Sequence, residues 1–370
     1  MNSLQRFIHG VLLLGLLLPH AVSYSQDNHE GLEGRTFELS EAVTKKAVDS
    51  ISGLKVGSYN LRNLFEKSGK IHDRTAQIFS IITRATAPLE EPLKSLEELK
   101  AQGRAILEND FDILAVEEIE NLKALGSFSK EFLGSQYNSY LIEGNDPRGI
   151  DVGFLVKASL PFEVEQRTHK NETWSDPIAG GKTTRLFSRD LPALLFRTDK
   201  KAAPFLIYFG THFKSKRDRP KDPESRILRK AQVERASEIV KAYEAEFGAQ
   251  TPIFLAGDFN GEIAHEKEFV SLSQVASLHD TFDVVSPPLS QEERVTHTFF
   301  PKDGKMKRSQ LDAVLVNAAA AKFIQDAKVY RYKDSNGEEL PLPSSFQDVM
   351  KNPSDHFPVQ ADLDFKKLGQ

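Results

Sequence analysis

The sequence predicts a mixed α/β fold, in which short β-strands form a sandwich of sheets that helices cover. Three observations support this prediction. Apolar segments of strand length recur from residue 54 to residue 365, a few longer segments between them have helical periodicity, and the two kinds do not follow a strict strand–helix–strand order. Since no internal repeat, low-complexity tract or second linker interrupts this region, we expect one domain over residues 54–366.

Eight segments have the apolar or alternating pattern of a β-strand. In chain order they span residues 54–59, 111–116, 152–156, 191–196, 205–210, 253–256, 311–316 and 358–365. Five segments instead have apolar residues at helical spacing. They span residues 40–51, 75–82, 93–107, 226–247 and 266–272. This mixture of short strands and few helices indicates sheets that pack on each other beneath a helical cover.

The composition restricts the chemistry that the protein can use. The chain has 370 residues, of which 39% are hydrophobic and 27% are charged, so it can bury a core. Its formal net charge of −5 gives no whole-molecule attraction to nucleic acid, and a polyanion would need a local basic patch or a bound metal. The absence of cysteine excludes disulfides, thiolate metal sites and cysteine nucleophiles. Metal ligands must therefore be oxygen or imidazole.

The first 25 residues have the pattern of a secretory signal peptide. Arg6 supplies the positive start, residues 11–18 form a short apolar run, and small residues follow over 21–25. The run is shorter than the roughly 20 residues that a transmembrane helix needs, and an uncleaved membrane anchor is the alternative. Residues 26–53 form a polar lead. Since no later segment approaches a transmembrane span, we expect a secreted or periplasmic monomer without stable membrane insertion.

Polar side chains lie at or near the ends of six predicted strands. They are Asn60, Glu118, His212, Asp258 with Asn260, Asp312, and Asp355 with His356. Strand ends on a rigid scaffold can converge on one rim. Each residue alone has an ordinary structural explanation, as an exposed charge, a turn former, a core histidine or a cap. Together they supply oxygen and imidazole ligands without a thiol, which suits Mg²⁺, Mn²⁺ or Ca²⁺ better than a structural zinc.

Five segments match, in order, the landmarks of the endonuclease/exonuclease/phosphatase superfamily. They are residues 58–65 (SYNLRNLF), 115–120 (AVEEIE), 257–260 (GDFN), 311–316 (LDAVLV) and 354–359 (SDHFPV). One such motif alone is a weak signal, but five in the same order are specific. The chain therefore resembles this superfamily over residues 54–365. The resemblance implies a deoxyribonuclease I-like fold, which is a four-layer αββα sandwich, and it implies that this domain is catalytic.

The resemblance also implies a metal site. Glu118 matches the metal-binding glutamate, assisted by Asn60, and Asp355 matches a residue that supplies a second metal contact or an orienting contact. The implied cofactor is Mg²⁺, with Mn²⁺ or Ca²⁺ as alternatives. Glu117 departs from the family, which usually has glutamine before the metal-binding glutamate. This residue either adds local negative charge or points away from the site.

The same resemblance assigns roles in phosphodiester hydrolysis. Asp258 and Asn260 match the pair that positions the attacking water, with Asp258 as the general base. His356 matches the imidazole that faces the phosphate, and its pairing with Asp312 would keep it protonated. His212 matches the histidine that contacts the scissile phosphate or protonates the leaving oxygen. Cationic donors of this kind stabilise the charge that develops on the non-bridging oxygens.

Three residues beside these motifs are candidates for substrate binding. Arg148 and Asp151 match the segment that edges the family site. Asp151 either orients His212 or is an ordinary turn residue. Arg189 either reaches phosphate or is a surface arginine.

Two basic loops flank the predicted site. The first follows His212 and contains Lys214, Lys216, Arg217, Arg219 and Lys221. The second precedes Asp312 and contains Lys302, Lys305, Lys307 and Arg308. Either run alone is typical of a solvated loop, but cations on both sides of a scissile phosphate would bind the neighbouring phosphates of a nucleic acid. Lys214 and Lys216, nearest to the catalytic histidine, are the candidates for this contact.

We predict a secreted, metal-dependent endonuclease that cleaves DNA or RNA. Residues 59–65 and 211–216 resemble the secreted bacterial nuclease branch, and the basic loops favour nucleic acid. The overall acidity and the absence of an aromatic stacking signature near these loops count against it. The alternative is a lipid or inositol phosphodiesterase or phosphatase, sphingomyelinase-like, although no clear apolar hairpin for membrane contact is evident. A catalytically silent binding protein would have lost Glu118, Asp258 or His356, all of which are present.

Overall fold

A computed structural model describes residues 53–67, 70–71, 93–300 and 305–365. The predicted signal peptide, the polar lead up to residue 52, the helices predicted over 40–51 and 75–82, and Lys302 lie outside these ranges. Within them, no helix has the length and apolar character needed to cross a membrane.

The described ranges contain sixteen strands and seven α-helices. The strands are β1 (Gly53–Leu64), β2 (Ile113–Ile119), β3 (Tyr137–Leu141), β4 (Asp151–Lys157), β5 (Glu163–Arg167), β6 (Thr173–Asp176), β7 (Lys182–Arg185), β8 (Ala193–Arg197), β9 (Leu206–His212), β10 (Ile253–Asp258), β11 (His279–Asp280), β12 (His297–Phe299), β13 (Lys307–Ser309), β14 (Asp312–Val316), β15 (Ile324–Val329) and β16 (Val359–Asp364). The helices are α1 (Leu96–Asn109), α2 (Leu122–Phe132), α3 (Arg226–Phe247), α4 (Val270–Gln274), α5 (Thr281–Val284), α6 (Ala318–Ala321) and α7 (Phe346–Lys351).

Two six-stranded sheets repeat one arrangement. The first has the strand order β15-β16-β1-β2-β4-β3, and the second has the order β11-β14-β10-β9-β8-β5. In each sheet the two central strands are parallel, β1 with β2 and β9 with β10, and their outer neighbours pair antiparallel to them. Because parallel strands end at the same edge of a sheet, each central pair brings two of the predicted site residues to one edge.

The sheets pack face to face, and helices cover their outer faces. Tyr208 lies between the sheets, where its ring stacks on Phe254 and its hydroxyl donates to the Gly57 carbonyl oxygen at 2.8 Å. On the outer face of the second sheet, Tyr243 of α3 packs edge-on against Phe209, with ring centroids 4.9 Å apart. Helices α1 and α2 pack on the first sheet. This order of layers confirms the predicted αββα sandwich.

The predicted elements agree with the structure, with two informative differences at strand ends. Helix α3 begins and ends where its periodicity predicts, and every predicted strand is present. However, β1 continues through Asn60 to Leu64, and β2 continues through Glu118 to Ile119. The register of β2 with β1 shifts between Asn60 and Leu64, and its register with β4 shifts between Glu117 and Ile119. Glu118, at this shift, has a φ of 63°. A β-bulge therefore re-aims the Glu118 side chain.

Gly257 precedes the catalytic-motif aspartate in β10, and its backbone position excludes a side chain. Its φ is 151°, and a Cβ built there would overlap the Thr211 carbonyl oxygen of the neighbouring strand. We expect Gly257→Ala to lower the free energy of unfolding by about 2–4 kcal/mol, because the strained backbone and the overlap with a rigid strand both oppose the methyl group. Urea-induced unfolding measures the change.

The matched control is Gly126→Ala. Gly126 lies within α2, and a Cβ built there has no atom within 4 Å. Alanine is favoured over glycine in a helix interior by about 1 kcal/mol, so this variant should gain stability. A Gly257→Ala protein as stable as Gly126→Ala would show that β10 and β9 can separate to admit the methyl group.

Candidate active site

Predicted site residues from both sheets meet at one edge of the sandwich. Asp258 at the end of β10 is in register with His212 at the end of β9 and with Asp312 at the start of β14. Asn60 of the first sheet reaches across, and its Nδ2 donates to Asp258 Oδ2 at 3.1 Å. His356, just before β16, has its Nε2 3.9 Å from the same oxygen. The Asp258 carboxylate therefore lies at the centre of the site.

Asp258 accepts hydrogen bonds on both carboxylate oxygens. Oδ1 accepts from the Asn260 backbone N–H at 2.8 Å, and Oδ2 accepts from the Asn260 side-chain amide at 3.2 Å in addition to that of Asn60. Asp258 is 1% exposed, and burial raises its pKa to about 7, with Asp312 adding to the rise and His356 opposing it. A carboxylate whose pKa lies near neutrality is suited to accept a proton from water.

Asp312 and His356 form a buried carboxylate–imidazole pair. His356 Nδ1 lies 2.8 Å from Asp312 Oδ2, and the Asp312 backbone N–H donates to Thr296 Oγ1 at 3.0 Å. Burial alone would lower the pKa of His356, but the carboxylates of Asp312 and Asp258 raise it well above its ordinary value. The arrangement therefore favours an imidazolium, with Nδ1–H held by Asp312 and Nε2–H on the side of Asp258.

Oxygen donors suited to a cation lie along the adjacent edge of the first sheet. Glu118 is partly exposed at the β-bulge, and both Glu118 and Asp355 lie near the buried Lys94. Arg62 connects Asn60 to Asp355, because its backbone N–H donates to Asn60 Oδ1 at 2.8 Å and its Nε lies 3.9 Å from Asp355 Oδ1. Burial alone would raise the pKa of Asp355, but His356 and Arg62 hold it well below its ordinary value, so this carboxyl is ionised. Carboxylate and amide oxygens of this kind fit Mg²⁺ or Mn²⁺.

Glu117 points into the protein and not along the edge where Glu118 lies. Its Oε1 accepts from Ser58 Oγ at 3.0 Å, and its Oε2 is buried without a hydrogen-bond partner within the described ranges. Burial, together with the charges of Asp312 and Asp258, raises the pKa of Glu117 well above its ordinary value. The uncharged carboxyl is therefore favoured, which matches in charge the glutamine that the family usually has. The alternative that Glu117 adds negative charge is not supported.

His212 is buried at the site and contacts Asp258. Its Nε2 lies 3.3 Å from Asp258 Oδ2, and its Nδ1 is buried without a hydrogen-bond partner in the described part of the chain. Burial and the nearby Arg189 guanidinium lower the pKa of His212 well below its ordinary value. A neutral imidazole can donate one N–H to Asp258, but it lacks the second proton that protonation of a leaving oxygen requires. The geometry therefore favours a contact role over proton donation.

Asp151 stabilises a loop and does not orient His212. Its Oδ1 accepts from the Gly144 backbone N–H at 2.8 Å, whereas His212 Nδ1 has no partner among the described residues. Burial raises the pKa of Asp151 to about 6. Asp151 is the first residue of β4 and bonds to the loop before that strand, so the structure favours a local role over the orientation of His212, and the functional role of Asp151 stays a prediction.

Arg189 is buried beneath the site and does not lie on the surface. It is 4% exposed, and it donates from Nη1 to Asp146 Oδ2 at 3.0 Å and from Nη2 to the Phe213 carbonyl oxygen at 2.8 Å. The same carbonyl oxygen accepts from Asn260 Nδ2 at 3.1 Å, so Arg189 supports a group that positions Asn260. Arg148 also pairs with Asp146, at 3.4 Å, but its side chain is exposed. Direct phosphate binding by either arginine stays a prediction.

The first basic loop carries positive charge that neighbouring acids only partly neutralise, because Arg219 pairs with Asp176 and Asp222 but Lys214 pairs with no acid among the described residues. Lys216 pairs with Glu266, whereas Lys214 Nζ contacts the hydroxyl and carbonyl oxygens of Ser215 at 3.3 and 3.4 Å. Burial, followed by repulsion from Arg189 and other arginines, lowers the pKa of Lys214 to about 8. Mutual repulsion among these cations indicates a positive patch beside His212, which would attract an anion.

The described part of the second basic loop leads into β13, which pairs antiparallel with β12, and we call this strand pair the β12–β13 hairpin. Lys307 and Arg308 are exposed on β13. Phe299 is 52% exposed on β12, and Met306 is also exposed. The sequence showed no clear apolar hairpin for membrane contact, and the structure adds two exposed apolar side chains among the cations of this segment.

Two residues near the site escaped prediction. Lys94 is buried close to Glu118 and Asp355, and burial lowers its pKa to about 8 although carboxylates around it oppose the shift. His297 has its ring centroid 4.7 Å from that of His356. Neither residue belongs to one of the five motifs. Lys94 directly precedes the N-cap residue of α1, and His297 is the first residue of the three-residue strand β12. Short irregular segments of this kind have no periodicity that could reveal them.

The four-layer sandwich with polar residues along one edge defines the class of protein, which is that of the deoxyribonuclease I-like folds. No protein-family model matches the chain, and no curated protein sequence matches it. Solved structures do. The chain is similar to truncated TDP2 from Caenorhabditis elegans, with 17% identity over 84% of this chain and 97% of that chain and a TM-score of 0.52.

Two bacterial structures from Bacteroides thetaiotaomicron are similar to the same extent. One is a mannosyl-6-phosphatase, with 17% identity over 84% of this chain and 100% of that chain and a TM-score of 0.52. The other is an endonuclease/exonuclease/phosphatase family protein, with 16% identity over 85% of this chain and 96% of that chain and a TM-score of 0.52. The chain therefore has the fold of the endonuclease/exonuclease/phosphatase superfamily, as its five motifs predict.

Proposed function

We propose that the protein is a metal-dependent phosphodiester hydrolase, and more specifically an endonuclease that cleaves DNA or RNA. The observation that carries the proposal is the buried Asp258 carboxylate, with the Asp312–His356 pair beside it. In-line hydrolysis of a phosphodiester requires a proton acceptor and a cationic donor at one place. The shared fold with a mannosyl-6-phosphatase supports phosphoester chemistry.

Asp258 acts as the general base in this proposal. Since its pKa is about 7, the carboxylate is partly ionised at neutral pH and still basic enough to take a proton from water. The amides of Asn60 and Asn260 and the imidazole of His212 hold the carboxylate in one orientation. The deprotonated water forms a bond to phosphorus as the bond to the leaving oxygen breaks on the opposite side, and the leaving oxygen departs with the electron pair of that bond and takes a proton from solvent water.

His356 stabilises the charge that develops on the phosphate in this reaction. Its Nε2–H donates to a non-bridging oxygen, while Asp312 keeps Nδ1–H and the ring orientation in place. A bound divalent cation supplies further positive charge at the phosphate oxygens. Asn60, Glu118 and Asp355 would hold that cation, since their oxygen atoms are the ligands that Mg²⁺ prefers.

The positive patch beside His212 supports nucleic acid as the substrate. Arg148 and Arg217 are exposed there, and Lys214 forms no ion pair within the described residues. We expect Lys214→Ala to weaken binding of DNA or RNA and to reduce the slope of log affinity against log salt concentration by about 1. Fluorescence anisotropy at several salt concentrations measures both quantities.

The matched control for that variant is Lys201→Ala, which removes the same charge from an exposed loop between β8 and β9. It should leave both the affinity and the salt slope unchanged. If both variants weaken binding equally, the attraction comes from overall charge, and the patch beside His212 has no special role.

A second candidate function is hydrolysis of a lipid phosphodiester. The β12–β13 hairpin lies next to His356 through a backbone bridge at His297, and it presents the exposed apolar side chains of Phe299 and Met306. Apolar side chains flanked by lysine and arginine are typical of surfaces that contact a lipid interface. The same side chains could stack on unpaired bases, so the hairpin alone does not exclude the nuclease.

A substrate panel separates these functions. The purified protein is incubated with Mg²⁺ or Mn²⁺ and with circular plasmid DNA, RNA, sphingomyelin vesicles or inositol phosphates. We expect cleavage of a nucleic acid, with the circular plasmid reporting endonuclease action, complete loss of activity with EDTA, and recovery on addition of Mg²⁺. Turnover of lipid alone would overturn the nuclease, and full activity after chelation would overturn the metal dependence.

We also propose that the protein is exported, because residues 1–25 have the pattern of a signal peptide. Amino-terminal sequencing of protein recovered from the periplasm or the medium is expected to begin near residue 26. An intact amino terminus recovered with membranes would instead support the uncleaved anchor.

A further inference from the structure

Three donor atoms at the site form a cluster that the proposed hydrolysis does not use as a unit. One ring nitrogen each from His297 and His356 and one carboxylate oxygen from Asp355 all lie within 4.8 Å of one another. His297 opens β12 and forms an antiparallel backbone bridge with His356, and Asp355 is the neighbour of His356 in the chain. The backbone bridge therefore fixes the relative positions of the three side chains.

His297 is the member of this cluster that has no other role. It is half-buried, and its ring centroid lies 4.7 Å from that of His356 on one side and 6.4 Å from that of Phe299 on the other. No hydrogen bond to another described residue engages either of its ring nitrogens. A half-buried imidazole held between two rings and beside a carboxylate is therefore available to bind a ligand.

The donor set of the cluster differs from that of the proposed Mg²⁺ site. Two imidazoles and one carboxylate suit Zn²⁺ and related first-row ions, whereas Mg²⁺ prefers oxygen atoms alone. Asp312 completes the pattern, because its Oδ2 lies 2.8 Å from His356 Nδ1. A carboxylate that accepts from one nitrogen of a histidine fixes the ring so that the other nitrogen can bind a metal.

We propose that His297, Asp355 and His356 bind Zn²⁺, and that Zn²⁺ at this position blocks the hydrolysis. The ion would replace the proton on His356 Nε2, which is released to solvent, and bind a carboxylate oxygen of Asp355, and the proposed reaction needs both groups. His297 takes no part in that reaction, so it distinguishes the zinc site from the hydrolytic one. The inhibition rests on the proposed function, whereas the binding of zinc does not.

Isothermal titration calorimetry of Zn²⁺ into the full chain, with Mg²⁺ in excess throughout, tests the binding. We expect one zinc site in the wild type and a loss of affinity of about tenfold or more in His297→Gln. The matched control is His279→Gln, which changes an exposed histidine at β11 outside the cluster and should bind zinc as the wild type does. Equal affinities of the wild type and folded His297→Gln would overturn the proposal.

Cobalt provides a measurement that does not depend on a variant. Co²⁺ bound to two imidazoles and a carboxylate at low coordination number absorbs visible light more strongly than hydrated Co²⁺, and added Zn²⁺ should remove that absorption. A spectrum identical to that of hydrated Co²⁺ would overturn the site even if His297→Gln failed to fold. Circular dichroism establishes whether that variant is folded.

Turnover measurements then test the inhibition. Zinc should inhibit Mg²⁺-supported hydrolysis by the wild type and by His279→Gln, while His297→Gln should resist inhibition and retain its zinc-free turnover. Inhibition of all three proteins at the same zinc concentration would overturn this part of the proposal. If no phosphoester in the panel is hydrolysed, the proposed function fails, and calorimetry still decides the zinc site.

Discussion

Replacing Asp258 with asparagine is expected to reduce phosphodiester turnover by about 10³-fold or more. An amide cannot accept a proton from water, so the proposed general base is lost. The new NH₂ group also faces the amides of Asn60 and Asn260, which now donate to the carboxylate. Steady-state turnover with Mg²⁺ measures the loss, and circular dichroism shows that the variant is folded.

The difference in stability between Asp258→Asn and the wild type should depend on pH. Burial raises the pKa of Asp258 from 3.8 to about 7, so the folded protein holds this proton more tightly than the unfolded chain does. The contribution of Asp258 to stability is therefore full below about pH 4 and is lost as the pH rises through about 7. Asparagine has no such loss, so the stability of metal-free Asp258→Asn relative to the wild type should increase as the pH rises from about 4 to about 7.

Asp280→Asn is the matched control for both measurements. Asp280 is a partly buried aspartate, and burial raises its pKa to about 6. It accepts from the Phe282 backbone N–H at 3.0 Å and from Gln310 Nε2 at 2.6 Å, away from the catalytic carboxylate. Turnover by Asp280→Asn should equal that of the wild type. Wild-type turnover by Asp258→Asn would remove Asp258 from the role of base.

The sequence predicted the central strands and the site residues near their ends, because the apolar pattern that identifies each strand also locates the polar residue next to it. Asn60 and Asp258 are 198 positions apart, yet their side chains form a hydrogen bond. Asn60 follows the apolar segment 54–59 that predicts β1, and Asp258 ends β10; both strands are central in their sheets, so strand periodicity places both residues near an edge. The order of the five motifs then indicated that the two edges belong to one site.

Local pattern could not reveal the features that depend on tertiary contact. Glu117 and Glu118 cannot be told apart in the sequence. The β-bulge places Glu118 at the edge of the sheet, whereas Glu117 points into the protein. Arg189 has the sequence context of a surface arginine, but Asp146 and the Phe213 carbonyl oxygen bury it. These outcomes depend on partners at least 24 positions away, which periodicity does not report.

The short strands that the sequence missed are mostly polar. β5 (Glu163–Arg167) pairs only at the margin of its sheet, and β12 with β13 forms a sheet of its own. Edge strands need not alternate between apolar and polar residues, because one side of such a strand has no neighbour to cover. His297 lies on one of them, which explains why a histidine so close to His356 had no signal.

Asp312→Asn is expected to affect both stability and the pH range of activity. Removal of one partner from a buried ion pair costs about 3–5 kcal/mol, so the free energy of unfolding should fall by that order. After burial, Asp312 is the strongest influence on the pKa of His356, and without its charge that pKa should fall, because only Asp258 and Asp355 then oppose the effect of burial. Since hydrolysis needs the imidazolium, the alkaline limit of activity should move to lower pH.

The stability difference between Asp312→Asn and the wild type should itself depend on pH. A histidine whose folded pKa is raised contributes stability that is full below its unfolded pKa of 6.5 and is lost as the pH rises through the folded value. Urea unfolding at pH 6 should therefore show a larger difference than unfolding at a pH above the folded pKa of His356. A difference that is constant with pH would show that Asp312 acts through packing and not through charge.

A double-mutant cycle separates the pair from its surroundings. His356→Asn and Asp312→Asn are combined, and the free energy of unfolding is measured for all four proteins at pH 6. Because each single change leaves a buried partner uncompensated, the double variant should lose less stability than the two single variants together, by about 1–3 kcal/mol. Additive losses would mean that the 2.8 Å contact between Nδ1 and Oδ2 carries no net coupling. In that case the Asp258 carboxylate would have to hold the proton of His356 by itself, and Asp312→Asn should leave the alkaline limit of activity unchanged.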